Sequence, residues 1–133
     1  MTLFLIPGDV RGVIGLSTPV DLEPRKDGKG FGDALLKGKG AVVFSRDAAV
    51  MKNASPVQHL SKKMPRTLLV VGDADLPMLE GDAKASAEKA KETGAKVSVF
   101  VATKCNHMGT VGQLIEPDGL VLERVRAFLE KGV

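Results

Sequence analysis

The feature that most constrains the fold is a run of apolar residues, Thr67-Leu-Leu-Val-Val-Gly72, in which polar and apolar residues do not alternate. A strand with one face in water alternates between the two types, whereas a strand covered on both faces is apolar throughout. Continuous apolar strands are typical of parallel sheets, whose faces are both packed with helices. The run therefore predicts a buried strand of a parallel α/β sheet.

Strands and helices alternate along the rest of the chain. Helix ends are indicated by Ser45, an N-cap residue, and by Gly94, which stands where a C-terminal cap is expected. The pattern predicts an α/β fold with a parallel sheet of about three core strands, flanking helices and right-handed crossovers. Besides the strand above, the predicted strands are 10–16 and 96–102, and the predicted helices are 45–54, 80–93 and 118–131.

Segment 24–40 interrupts this pattern, because glycine and lysine dominate it. Glycine in a regular element costs backbone entropy, so the segment is expected to be a flexible surface excursion. Its glycine spacing matches neither the P-loop nor the dinucleotide-binding motif. The sequence therefore predicts no cofactor.

Length and composition indicate one globular domain spanning residues 1–133, with 44% hydrophobic and 26% charged residues. The longest apolar runs are far shorter than a membrane span, and the start lacks the basic residues of a signal peptide. The single cysteine excludes an internal disulfide framework and favours a reducing compartment. A soluble, cytoplasmic protein without a membrane partner is expected.

The net charge of +3 is weak evidence for a nucleic-acid partner, because 19 basic residues are interleaved with 16 acidic ones. Such interleaving is typical of solvated helix faces. The chain has no tryptophan or tyrosine on which bases could stack. We therefore expect no nucleic-acid partner.

Candidate chemistry lies where the predicted strands end, because ligands of parallel sheets bind at the carboxyl ends of the strands. Ser17, Asp75 and His107 each follow a predicted strand. An acid beside a histidine can fix the imidazole tautomer and stabilise its charged form. Asp73 is better suited to accept backbone N–H groups in the turn. Spacing alone leaves an exposed histidine and a turn aspartate as alternatives.

Four segments stand in order along the chain: Arg11-Gly-Val-Ile-Gly-Leu-Ser-Thr-Pro-Val-Asp-Leu22, Ala54-Ser-Pro-Val-Gln-His-Leu60, Leu69-Val-Val-Gly-Asp-Ala-Asp-Leu-Pro77 and Asn106-His-Met-Gly-Thr-Val111 followed by Glu116-Pro-Asp118. Together they resemble segments of α/β-hydrolase esterases, and in particular of the kynurenine-formamidase-like branch. The resemblance implies that Asp75 is the catalytic acid and His107 the catalytic histidine, and that the substrate is a small carboxylic ester or amide.

The chain departs from that family because it contains no G-x-S-x-G nucleophile elbow. It resembles only the C-terminal half of such a hydrolase, so we expect little activity from it alone. A complementing N-terminal half, a partner chain or an exchanged dimer would have to supply the serine. The alternatives are a non-catalytic homodimeric assembly module, which would cover the open sheet edges, and a truncated hydrolase remnant.

Three other residues are weaker candidates. Ser17 has the right order relative to Asp75 and His107, but Pro19 stands where an elbow needs a small residue. Cys105 is expected to be a packed thiol, and together with His107 it provides too few ligands for zinc, so no metal is expected. His59 is expected to be a surface histidine.

Overall fold

The architecture was determined as a computed structural model, which describes residues 8–38 and 45–132. Within these ranges a three-stranded sheet is flanked by five helices and one 3₁₀ turn, Pro56–His59. The strands are β1 Gly12–Leu16, β2 Arg66–Ala74 and β3 Val97–Asn106. The helices are α1 Phe31–Lys37, α2 Ala48–Ala54, α3 Pro77–Thr93, α4 Gly109–Ile115 and α5 Leu120–Lys131.

The sheet is parallel throughout and has the order β1-β2-β3. Its central strand β2 contains the apolar run, and Leu68 pairs with Ile14 on one side and with Ser98 on the other. Leu68 on one face and Val71 on the other are 0% and 1% exposed, as expected for a strand covered on both faces. The predicted fold class is confirmed.

Each face of the sheet packs against one long helix. On one face, Leu68 and Val70 form a core with Phe128 of α5. On the other face, Leu69 packs in a second core with Leu79 of α3. These two layers hold the carboxyl ends of the strands at one edge. No helix in the described ranges is long and apolar enough to cross a membrane.

The predicted element boundaries were partly wrong. Helix α3 begins three residues early, because Pro77 occupies its first turn, where a missing N–H is tolerated. Its end at Gly94 is as predicted, with the glycine in the left-handed conformation at φ 74°. Strand β3 continues to Asn106, beyond the predicted end at 102, and α4 follows it as a helix that was not predicted.

The prediction of a flexible excursion over 24–40 was wrong for Phe31–Lys37, which forms α1. The Asp33 carboxylate accepts the backbone N–H groups of Gly30 and Arg25 and so caps the helix. A Cβ on Gly32 would lie 2.1 Å from the Leu22 carbonyl oxygen. Gly32 therefore permits the backbone of α1 to approach the backbone at Leu22 closely. The prediction treated the glycines of this segment only as residues that disfavour a helix. Residues 39 and 40 lie outside the described residues.

An ion pair attaches the segment before α1 to helix α3. Arg25 donates to Oδ1 of Asp82, whose Oδ2 is buried without a hydrogen-bond partner. Burial raises the pKa of Asp82, and the Arg25 guanidinium only partly offsets this effect. Arg25 therefore compensates the negative charge of the buried Asp82 carboxylate, which would otherwise have no ionic partner in this pair.

We expect Arg25→Met to destabilise the fold by about 1–3 kcal/mol, less than a fully buried pair would cost because Arg25 is partly exposed. The double variant Arg25→Met, Asp82→Leu should be more stable than Arg25→Met alone, because it also removes the buried Asp82 carboxylate that has lost its ionic partner. Urea denaturation at neutral pH measures both. A double variant less stable than Arg25→Met would contradict this explanation.

Candidate active site

The three strands bring three functional groups to one edge of the sheet. Ser17 directly follows β1, Asp75 directly follows β2 and His107 directly follows β3. Because the strands are parallel and adjacent, their carboxyl ends lie side by side. Ser17, Asp75 and His107 therefore lie at one edge of the sheet, where the ends of the predicted strands placed them.

Asp75 and His107 are in direct contact. The distance between Nδ1 of His107 and Oδ1 of Asp75 is 2.8 Å. The Asp75 side chain is 1% exposed, whereas the His107 side chain is 48% exposed. A neutral imidazole that donates its Nδ1 proton to a carboxylate carries an unprotonated Nε2, which can accept a proton. In the described residues no hydroxyl or thiol is hydrogen-bonded to this Nε2.

The Asp75 carboxylate is held by donors on both oxygens. Oδ1 accepts the backbone N–H of Leu76 at 2.8 Å in addition to His107. Oδ2 accepts the hydroxyl of Ser17 at 2.5 Å and the N–H of Gly72 at 3.2 Å. Burial raises the pKa of Asp75, but these hydrogen bonds outweigh burial, and the net pKa lies below the ordinary value. Asp75 is therefore charged at neutral pH.

Asp73 has a structural role next to this pair. Its carboxylate accepts the backbone N–H of Cys105 at 3.0 Å and that of Lys104 at 2.9 Å. These bonds lower the pKa of Asp73. They join β2 to β3 where the strand register shifts between Gly72 and Ala74. Asp73 therefore fixes the end of β3, consistent with its predicted role as an acceptor of backbone N–H groups.

The turn that carries His107 is held by two side chains that sequence reasoning missed. Oδ1 of Asn106 accepts the N–H of Gly109 at 2.8 Å. The hydroxyl of Thr110, fully buried, donates to the His107 carbonyl oxygen at 3.0 Å. An asparagine three residues before a glycine is a turn signal that could have indicated the first contact. Thr110 gave no comparable signal.

The structure does not support Ser17 as a nucleophile. Its side chain is buried, and its hydroxyl contacts Oδ2 of Asp75 rather than the imidazole ring of His107. Its hydrogen bond with His107 is to the backbone carbonyl oxygen, at 3.4 Å. A nucleophilic serine must be hydrogen-bonded to the histidine that takes its proton. Ser17 contacts the Asp75 carboxylate and not Nε2 of His107, where a nucleophilic serine would have to lie.

Cys105 and His59 lie outside the site chemistry. Cys105 is buried in the core beside Leu68 and Val70, and burial raises the pKa of its thiol, so it stays protonated. His59 is exposed, and its Nε2 lies 2.6 Å from the Asn53 carbonyl oxygen. Across ranges 8–38 and 45–132, no three histidine, cysteine or carboxylate side chains group as metal ligands.

The stability of the chain should fall as the pH drops below about 4. Asp75 and Asp73 have lowered pKa values when folded, so the unfolded chain binds more protons in this range and stability is lost on acidification. Asp75→Asn should make this loss shallower, because the variant retains no titrating group at that position. Asp82→Asn is the control. Because the pKa of Asp82 is raised when folded, its contribution to the change of stability with pH has the opposite sign. Urea denaturation at pH steps between 3 and 7 measures both, and an unchanged profile in Asp75→Asn would contradict the assignment.

No protein-family model matches the chain, and no curated protein matches it. Its three parallel strands and flanking helices form a partial α/β fold. Two similar solved structures are esterases. A truncated form of a carbohydrate esterase from gut microbiota superposes with a TM-score of 0.67 and 19% identity, over 91% of this chain and 42% of that one.

The second is the esterase Est2 from the planctomycete Thermogutta terrifontis, with a TM-score of 0.55 and 18% identity, over 92% of this chain and 41% of that one. The chain therefore spans about two fifths of the length of each esterase. At these identities the likeness shows the fold. The α/β fold expected from the sequence is therefore shared with two solved structures that are themselves esterases.

Proposed function

We propose that this chain is the acid- and histidine-bearing part of an α/β hydrolase that cleaves small carboxylic esters or amides. The observation that carries the proposal is the hydrogen bond between Asp75 and His107 at the carboxyl edge of the sheet. Two esterases that share the fold support the ester chemistry. The resemblance of the His107 segment to the kynurenine-formamidase-like branch supports amides as the second substrate class.

In this mechanism, the Asp75 carboxylate holds His107 with its proton on Nδ1, which leaves Nε2 as the general base. Nε2 takes the hydroxyl proton of a serine as the serine oxygen attacks the carbonyl carbon of the substrate. Asp75 stabilises the resulting imidazolium. The proton then passes from Nε2 to the leaving alcohol or amine as its bond to the acyl carbon breaks, and water releases the acyl group by the same steps.

The serine and the oxyanion donors come from another segment in this proposal, because the sequence holds no G-x-S-x-G and Ser17 faces the acid. The surface next to the pair supports such a segment. Met108 is 71% exposed beside His107, and two further exposed apolar residues are Leu76, which directly follows Asp75, and Val111 in helix α4. Exposed apolar side chains around a site are typical of surfaces that another element covers. A complementing N-terminal half or partner chain would bury them.

A chimera tests this function. The part of the gut carbohydrate esterase that this chain does not match would be joined to this chain, and hydrolysis of p-nitrophenyl acetate would be measured. We expect ester hydrolysis that neither half shows separately. A folded chimera whose serine is not labelled by a fluorophosphonate, or whose hydrolysis does not depend on Asp75, would contradict the proposal.

A second candidate function, a homodimeric assembly module, is favoured by β1, which is an edge strand of the sheet within the described residues. Charged residues and proline usually protect an edge strand from pairing with another chain. Strand β1, Gly12–Leu16, contains neither. Val13 on this strand is an exposed apolar residue. Sedimentation velocity at tens of micromolar should then show a dimer that Val13→Lys converts to a monomer. A monomeric native chain would contradict this candidate.

The single cysteine, a free and buried thiol, supports a reducing compartment, so a cytoplasmic location is part of the proposal.

A further inference from the structure

We propose that Ser17 and Thr110 are positioning residues, whose two hydroxyl groups form a chain of hydrogen bonds that orients the Asp75 carboxylate toward His107. The inference rests on the proposed function only in taking Asp75 and His107 as the acid–base pair of a hydrolase. Both hydroxyls are hydrogen-bonded to the backbone carbonyl oxygen of His107 and not to its imidazole ring. Both act through Asp75.

The order of donors follows from the distances. Oγ of Ser17 lies 2.5 Å from Oδ2 of Asp75 and 3.1 Å from Oγ1 of Thr110. A hydroxyl carries one hydrogen, and a carboxylate only accepts, so the Ser17 hydrogen is donated to Asp75. The contact between the two hydroxyls then needs the hydrogen of Thr110, which is shared with the His107 carbonyl oxygen at 3.0 Å. The chain of donors runs from Thr110 through Ser17 to Asp75.

The backbone of Ser17 indicates that the hydroxyl itself is required. Its φ is 48°, in the left-handed region that favours glycine. Its N–H donates to the Val70 carbonyl oxygen at 2.7 Å, which fixes this conformation against β2. Glycine would adopt it without strain but would lack a hydroxyl. Strained backbone of this kind persists only where the surrounding structure holds it, and it clusters at functional sites.

Burial prevents water from replacing the hydrogen bonds of the Ser17 and Thr110 hydroxyls. Ser17 is buried and Thr110 is fully buried, so neither hydroxyl can exchange its partner for bulk water. Together with the Gly72 N–H, Ser17 occupies Oδ2 of Asp75. Oδ1 is left for His107 and the Leu76 N–H. Removal of the Ser17 hydroxyl would leave one weak donor on Oδ2 and free the carboxylate to rotate.

Among the described residues, His107 is hydrogen-bonded to the Asp75 carboxylate, and the Cys105 thiol interacts electrostatically with both Asp75 and Asp73. Asp73 is held by the N–H groups of Lys104 and Cys105, which the hydroxyl variants do not touch. A change in the titration of Asp75 in those variants therefore reports the hydroxyl chain rather than a rearrangement of neighbouring charges.

NMR of the isotope-labelled chain tests the inference without any catalysis. The readouts are the carboxyl ¹³C titration of Asp75 and the Nδ1-bound proton of His107, with His59→Ala used to assign the ring signals. In Ser17→Ala and Ser17→Gly we expect the pKa of Asp75 to rise toward its ordinary value. We also expect the His107 Nδ1 proton to exchange with water about tenfold faster.

Matched variants separate the hydroxyl from other effects. Thr110→Val removes the second hydroxyl with little change in shape and should shift both readouts in the same direction, while Thr110→Ser should restore them. Native readouts in Ser17→Gly with altered ones in Ser17→Ala would show that backbone strain is responsible and would overturn the inference. Unchanged readouts in Thr110→Val, or in both Ser17 variants, would also overturn it. An inactive chimera with these NMR changes present would count only against the hydrolase function.

Discussion

Gly72→Ala is expected to unfold much of the chain. A Cβ at this position would lie 1.9 Å from the carbonyl oxygen of Cys105 and 2.7 Å from its carbonyl carbon. Both atoms are backbone of β3, so no side-chain rotation relieves the clash. We expect a loss of about 3 kcal/mol or more, a large share of the stability of a typical domain. The clash also lies beside Asp75, whose Oδ2 accepts the Gly72 N–H.

Gly81→Ala is the matched control for this substitution. Gly81 lies in helix α3 with open space where its Cβ would be. Alanine there should stabilise the chain by about 1 kcal/mol, because glycine is a poor helix former. Thermal and urea denaturation followed by circular dichroism measure both variants. A Gly72→Ala variant as stable as the native chain would show that β2 and β3 do not approach each other as described.

His107→Ala is expected to lower ester hydrolysis by about 10³-fold or more in a chimera that supplies the serine. Without the imidazole, no group in contact with Asp75 can take the serine proton. Asp75→Asn should cause a comparable loss, since it removes the acceptor that holds the Nδ1 tautomer. The measurement is kcat/KM for p-nitrophenyl acetate at neutral pH.

His59→Ala provides the control for the histidine, because the chain has two histidines and His59 is exposed, with its Nε2 near the Asn53 carbonyl oxygen. Its hydrolysis should equal that of the parent chimera. Equal loss in His59→Ala and His107→Ala would point to a general effect of removing imidazoles. Full activity in His107→Ala would show that this histidine is not the base.

The fold could be predicted from the sequence because one local pattern was decisive. The apolar run in β2 cannot be placed in a half-solvated sheet, so it required the layers that α3 and α5 supply. Helix α1 could not be predicted in the same way. Its Gly32 is explained by a close approach to the Leu22 carbonyl, which is a tertiary contact with no signature in the local sequence.

The candidate site could be predicted in part for the same reason. Adjacent parallel strands must place their carboxyl ends together, which brought Asp75 and His107 into one hypothesis. The contacts of Ser17 depend on a left-handed φ and on the turn that carries Thr110 into the site. Neither follows from residue type or spacing. The sequence therefore shows that Ser17 precedes Asp75 and His107 in the order of a triad. It does not show that the Ser17 hydroxyl contacts Asp75 and not the His107 ring.

Intact-mass spectrometry after incubation with a fluorophosphonate tests the central claim most directly. That claim is that the chain holds the acid and the histidine of a hydrolase site but no nucleophile of its own. We expect the 133-residue chain to keep its native mass, because the Ser17 hydroxyl is buried against Asp75. A stoichiometric adduct on Ser17, or on any other residue of this chain, would contradict the account.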